Sequence, residues 1–124
     1  GFAANGAISI TPSQLVDRTV WYELFLAKYP DFVFIGNCKD YHKAYLTYLL
    51  CGYENTTIYK NKEAQEISGY YINAYSYLNS RYHNSEVAKL VNPYYESLKQ
   101  KQASNAQGIL KNYRIKGLIF SVKW

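Results

Sequence analysis

In the stretch NCKDYHK, Cys38 and His42 stand four positions apart, which on a helix places a thiol and an imidazole on one face. Such a pair could act as nucleophile and base, or as two ligands of a metal. Cys51 falls roughly on the opposite side of the same predicted helix. At about 1.5 Å rise per residue it is about 20 Å further along, so it cannot complete a site with the other two. The same separation forbids a disulfide, whose Cα atoms must come within about 7 Å, and two free thiols fit a reducing compartment. His83 has no further ligand near it in the sequence. The bland alternative is a buried cysteine beside a half-exposed histidine, and it is the reading preferred here. Elsewhere there is no G-x-G-x-x-G, phosphate-binding loop, H-E-x-x-H or C-x-x-C pattern. Glu63 and Glu66, three apart on a polar stretch, read as solvent-facing. The chain is therefore expected to be no enzyme and to need no metal or cofactor.

Tyrosine is what the chain has in excess, with 15 among 124 residues. Five of them fall in SGYYINAYSYLNSRY, residues 68–82. A tyrosine joins a large apolar ring to a hydroxyl that needs a partner when buried, so such a stretch suits a core, a binding surface or a subunit contact. As a helix it gathers Ile67, Tyr70, Tyr71, Ala74, Tyr75, Tyr77 and Leu78 on one broad face. As a strand it sends Tyr71, Asn73, Tyr75 and Tyr77 one way, with Tyr70, Ile72, Ala74 and Leu78 mostly the other. The pattern leaves the two close. A platform for stacking bases would interleave its rings with cations, and residues 68–80 carry none.

Cations collect at the far end instead. Net charge is +5, all nine acids lie at or before Glu96, and Lys99, Lys101, Lys111, Arg114, Lys116 and Lys123 follow with none between them. The first five are candidate contacts to nucleic acid or to an acidic partner, set against ordinary solvated lysines.

The elements that position these residues are partly legible. Hydrophobic residues make up 48% and charged ones 19%, which marks one globular domain with a real core. No run approaches the roughly 18 apolar residues of a membrane span. The opening GFAANGAISI reads as a flexible or partner-docked arm (residues 1–10) and not as a signal peptide. Thr11-Pro12-Ser13-Gln14 is a capping box with proline in the first turn, and opens a helix that Pro30 stops. That helix is apolar on nearly every side, which points to burial on more than one side and to a second subunit. Asp31–Gly36 is a short apolar connector. A second helix starts near Asn37 or Asp40 and ends at Gly52, and residues 53–62 form a polar loop containing the sequon Asn55-Thr56-Thr57.

After the tyrosine stretch, Ser85 caps a short helix to Val91, and Asn92-Pro93 restarts another to about Gln102. Ala103–Gly108 reads as a turn or linker. Leu118, Phe120, Val122 and Trp124 alternate against Ile119, Ser121 and Lys123, the pattern of a half-buried strand within a basic segment, 113–124. The fold class is thus mainly α with a small β element: three to four helices plus a hairpin or terminal strand.

The succession ITPSQLVDRTVWYELFLAKYP, DYHKAYLTYLLCGY, KEAQEISGYYINAYSYL and NPYYESLKQ resembles the small head–tail connector proteins of tailed bacteriophages, of the adaptor or head-completion type. Ala44, Leu46, Leu49 and Leu50 fill the second-helix pattern of that family, Ser68-Gly69 its hairpin start, and Pro93-Tyr94 its later helix. The helix carries Tyr48 near the place of the histidine usual there, and 113–124 has no counterpart. The resemblance implies a β-hairpin at 67–80 within a helical domain, 11–112. It also implies a non-enzymatic virion protein, assembled in the host cytoplasm as a homo-oligomeric ring between portal and tail or neck proteins, around passing DNA. On this reading Trp21, Phe25, Tyr70, Tyr71, Tyr75, Tyr77, Leu118, Phe120 and Trp124 form subunit contacts.

Overall fold

The computed structural model describes residues 1–124. Five helices dominate: α1 (Pro12–Lys28), α2 (Ile35–Cys51), α3 (Gly69–Tyr82), α4 (Glu86–Lys99) and α5 (Ala103–Ile115). Two small antiparallel pairs accompany them: β1 (Ala3–Ala4) with β2 (Ala7–Ile8), and β3 (Tyr59–Asn61) with β4 (Glu66–Ile67). The mainly helical class with a small β element is as expected, but several placements differ.

α1 opens as the sequence says. Thr11 Oγ1 accepts from the Gln14 amide at 3.2 Å, and the Gln14 side chain accepts from the Thr11 amide at 2.9 Å. One stripe of α1, Leu15, Val16, Thr19 and Val20, is buried against α2 and α3. Its polar residues tie it to the rest of the bundle. The Asp17 carboxylate accepts from the hydroxyls of Tyr77 at 2.8 Å and Tyr82 at 2.6 Å. Glu23 accepts from the amides of Val87 at 2.8 Å and Glu86 at 3.2 Å, so α1 supplies a carboxylate to the N-terminus of α4, where the helix dipole favours it.

The stretch 68–82 is helix α3, not a hairpin strand; the hairpin lies earlier, at β3–β4. The physical reason is where the tyrosine hydroxyls can go. Tyr71, Ala74, Tyr75 and Leu78 make one fully buried stripe. Tyr71 Oη donates to the Tyr48 carbonyl and Tyr75 Oη to the Leu49 carbonyl, both at 2.8 Å. Those carbonyls sit in the last turn of α2: Tyr48 also accepts from the Gly52 amide at 3.1 Å, while Leu49 lies where intrahelical partners run out. Strand alternation would send Tyr71 and Tyr75 toward one face at a spacing that cannot serve two successive carbonyls on a helix end.

Pro93 interrupts nothing: α4 runs through it as one helix. Asn92, expected as a cap, instead pairs its amide reciprocally with Asn79 of α3 at 2.9 and 2.8 Å. The expected linker 103–108 is the first half of α5, because Ala106, Leu110 and Tyr113 form a buried stripe against α4. The second helix begins earlier than expected, at Ile35, and ends with Gly52 at φ 76.

Both termini find partners within the chain. In the arm, Phe2 stacks on Tyr48 with ring centroids 4.5 Å apart, and Ile8 and Ile10 join the core. Gly117, at φ 74, closes α5, with the Leu118 amide donating back to the Tyr113 carbonyl at 2.9 Å. Residues 118–124 then run without strand pairing, so the expected terminal strand is a strap. Its anchors are buried Ile119 and a hydrogen bond from the Phe120 amide to Thr47 Oγ1 at 2.9 Å. The pattern misled because Ile119, on the face expected to be outward, is the residue that packs inward.

Candidate functional site

The expected subunit contacts separate into three groups. Tyr71 and Tyr75 are fully buried in the core and cannot meet a partner. Tyr70, Tyr77 and Leu118 are half-buried, and the two hydroxyls are engaged internally: Tyr70 with the Ile10 carbonyl at 2.9 Å, Tyr77 with Asp17. Burial pushes the Tyr70 hydroxyl up to about 12. The hydrogen bond to Asp17 does the same for Tyr77. Trp21, Phe120 and Trp124 are exposed, with Phe25 beside Trp21 at 5.1 Å, stacked.

The surface around Trp21 is larger than the sequence suggested. It includes Leu24, Tyr29, Phe32, Val33 and Phe34, the last two 82% and 61% exposed. Ring contacts make it continuous: Trp21 to Phe25, Phe25 to Phe32 at 5.4 Å, and Phe32 to Phe34 at 5.8 Å. It occupies the tip where α1 turns into α2. The turn itself is held by backbone bonds only, Phe32 amide to Tyr29 carbonyl and Ile35 amide to Phe32 carbonyl. No side chain of the chain covers it. The signal in the sequence was the run Phe32-Val33-Phe34-Ile35, too apolar for a connector that faces only water.

From this tip the aromatic contacts continue along one side of the molecule. Trp21 meets Tyr22, Tyr22 stacks near Tyr41 and Tyr45, Tyr45 meets Phe2, and Tyr53 meets Trp124 at the far end. Arg18 lies over Tyr45 at 6.0 Å, Lys28 over Tyr29 at 5.4 Å, and Lys43 over Phe120 at 4.4 Å. Aromatic residues and arginine are enriched in interface cores, and each cation here lies over a ring.

The other candidates are dispersed. His42 Nδ1 lies 3.2 Å from the Thr19 carbonyl, and burial lowers its pKa. Cys38 is a half-buried free thiol, and Cys51 is free at the end of the same continuous helix. No three His, Cys, Asp or Glu side chains gather closely enough to hold a metal. Of the basic residues, Lys99 pairs with Glu96 at 3.1 Å and covers the Tyr95 ring at 4.5 Å. Arg114 turns inward to Cys51 Sγ at 3.7 Å. Lys101, Lys111 and Lys116 are exposed. The five do not act as one phosphate-facing set. No helix is long and apolar enough to cross a membrane.

No family model matches the chain, and neither a curated protein nor a solved structure matches it. Function must therefore be argued from the surface itself.

Proposed function

We propose that this chain is a non-catalytic assembly protein that self-associates through the aromatic tip of the α1–α2 hairpin. The observation that carries the reading is the exposed set Trp21, Leu24, Phe32, Val33 and Phe34, with half-buried Phe25 joining Trp21 to Phe32. Isolated apolar residues on a surface need no explanation, whereas a joined patch of this kind marks a contact. A second copy is the favoured occupant because the side of the molecule leading away from the tip is itself aromatic and rimmed by Arg18, Lys28 and Lys43. A tip of one copy set against that side of the next is a head-to-tail contact, which closes into a ring when the rotation permits. The resemblance to tailed-phage head–tail connectors points the same way through its second-helix pattern, while Ser68-Gly69 opens α3 and Pro93-Tyr94 lies inside α4. On this reading the protein is a ring-forming virion component between portal and tail or neck proteins.

Sedimentation velocity on the wild type and on Phe34→Asp and Val33→Asp tests this. Both positions are exposed, so the variants should keep their thermal stability within about 0.5 kcal/mol while losing the oligomer. Unchanged assembly in both would remove the tip from the contact. A small basic nucleic-acid-binding or inhibitory module is the competing reading, and rests on exposed Lys101, Lys111 and Lys116. It predicts affinity that falls steeply with salt.

A further inference from the structure

Three side-chain polar atoms in the molecule are buried without a hydrogen-bond partner: Tyr59 Oη, Gln65 Oε1 and Arg114 Nε. All three residues line one cleft of about 630 Å³. Buried polar groups in folded proteins are nearly always paired, and exceptions are few and scattered. The three orphans belong to side chains that share the wall of one concavity, so its lining is rich in polar groups that the chain itself leaves unpaired. The cleft is assembled from parts of the chain far apart in sequence: Cys51 at the end of α2, Tyr59 and Gln65 on the hairpin, Arg114 on α5, and Trp124 on the strap. Its volume lies within the range of small-molecule sites, about 300–1,000 Å³.

The charge of the lining identifies the chemistry it would take. Arg114 makes no ion pair; both salt bridges of the chain, Lys89–Glu86 and Lys99–Glu96, lie elsewhere. Its one side-chain partner is the Cys51 thiol, which burial keeps protonated. A half-buried guanidinium facing a neutral thiol lacks the anion that such groups ordinarily meet. Lys62 adds a second cation and Glu54 the single acid among the lining residues. Tyr94, a buried residue, contributes a further wall, and Ile58, Leu110, Val122 and Trp124 make most of the rest apolar. The Gln65 amide can present either end inward, since its oxygen and nitrogen are interchangeable by a flip. Phosphate would waste the apolar walls, and a neutral apolar molecule would leave Arg114 unpaired.

We propose that this cleft binds a small organic carboxylate with an apolar body, its carboxylate received by the Arg114 guanidinium and its body lying against Trp124 and Leu110. The site is independent of the aromatic tip, so it stands or falls separately from self-association.

The test is amide-shift mapping on the full chain with phenylacetate, 4-hydroxyphenylacetate and octanoate. Phenylacetamide serves as the neutral counterpart and inorganic phosphate as the bare anion. At least one carboxylate should bind saturably with a dissociation constant of about 1 mM or tighter, shifting residues around Cys51, Tyr59, Gln65 and Arg114. Phenylacetamide and phosphate should each bind about tenfold more weakly or worse. Arg114→Gln should remove the preference for the carboxylate over the amide. Arg114→Lys, which keeps the charge, should retain that preference, with the fold of both variants intact by circular dichroism. Failure of all three carboxylates would overturn the proposal. So would phosphate binding as tightly as they do, or an unaltered preference in Arg114→Gln.

Discussion

Tyr71 and Tyr75 stand one helical turn apart on α3 and meet the successive carbonyls of Tyr48 and Leu49 at the end of α2. The same device recurs: Tyr70 reaches the Ile10 carbonyl, Tyr113 the Leu90 carbonyl at 2.7 Å, and Tyr77 and Tyr82 share Asp17. Each ring fills core or near-core space while its hydroxyl ties two elements together. Tyr75→Phe keeps the ring and leaves the Leu49 carbonyl short of a donor in a buried setting. Its expected cost is about 1–3 kcal/mol, read as a lower urea midpoint with unchanged slope. Alkaline pH should act on the same groups. Burial raises the Tyr71, Tyr75 and Tyr94 hydroxyls well above their ordinary value, so the folded state holds these protons more tightly than the unfolded chain. Their contribution is complete below the unfolded value of about 10 and is lost as pH rises from there toward the folded values. In an alkaline titration, part of the phenolate absorbance should appear only as helical circular dichroism disappears. All tyrosines ionising near pH 10 with the helices intact would contradict this packing.

At the scale of elements, local chemistry was legible and long-range chemistry was not. The capping box at Thr11–Gln14 and the stop at Gly52 depend on residues within a few positions, and both are where the sequence puts them. Gly52 sits at φ 76, and a Cβ there would lie 2.7 Å from the Thr56 carbonyl oxygen. Gly52→Ala should therefore lower stability by about 1–3 kcal/mol, measurable by thermal unfolding; an unchanged midpoint would mean the turn can relax. The 68–82 stretch was undecided because its two periodicities select overlapping sets of tyrosines. What decides it is a pair of carbonyls more than twenty residues away, which no local window contains. α5 was hidden by Ser104, Asn105 and Gly108, although Ala106, Leu110 and Tyr113 carry its buried stripe. The strap was misread because alternation was taken to choose a face, while Ile119 packs from the other one. Of the exposed tip, Trp21 was legible as a large apolar residue on a helix with no clean polar face. Phe32, Val33 and Phe34 were read only as part of a short apolar connector, because nothing in the local sequence shows that the turn stays uncovered.

For the whole molecule, the core satisfies itself and the tip does not. The arm, the strap and the tyrosine-rich helix, for each of which a neighbouring chain was one expected partner, find their partners within this one. That removes three reasons for self-association and concentrates the remaining one at the α1–α2 turn, where Trp21, Phe32, Val33 and Phe34 stay exposed. The cleft holding Arg114 shares Trp124 with the end of the aromatic side and draws on no residue of the tip. The measurement that tests the central claim most directly is native mass by size-exclusion chromatography with light scattering, over a range of concentrations. Self-association through the tip predicts a discrete multiple of the monomer mass that Phe34→Asp returns to the monomer. A monomer mass at every concentration, unchanged when portal or neck protein is added, would contradict it.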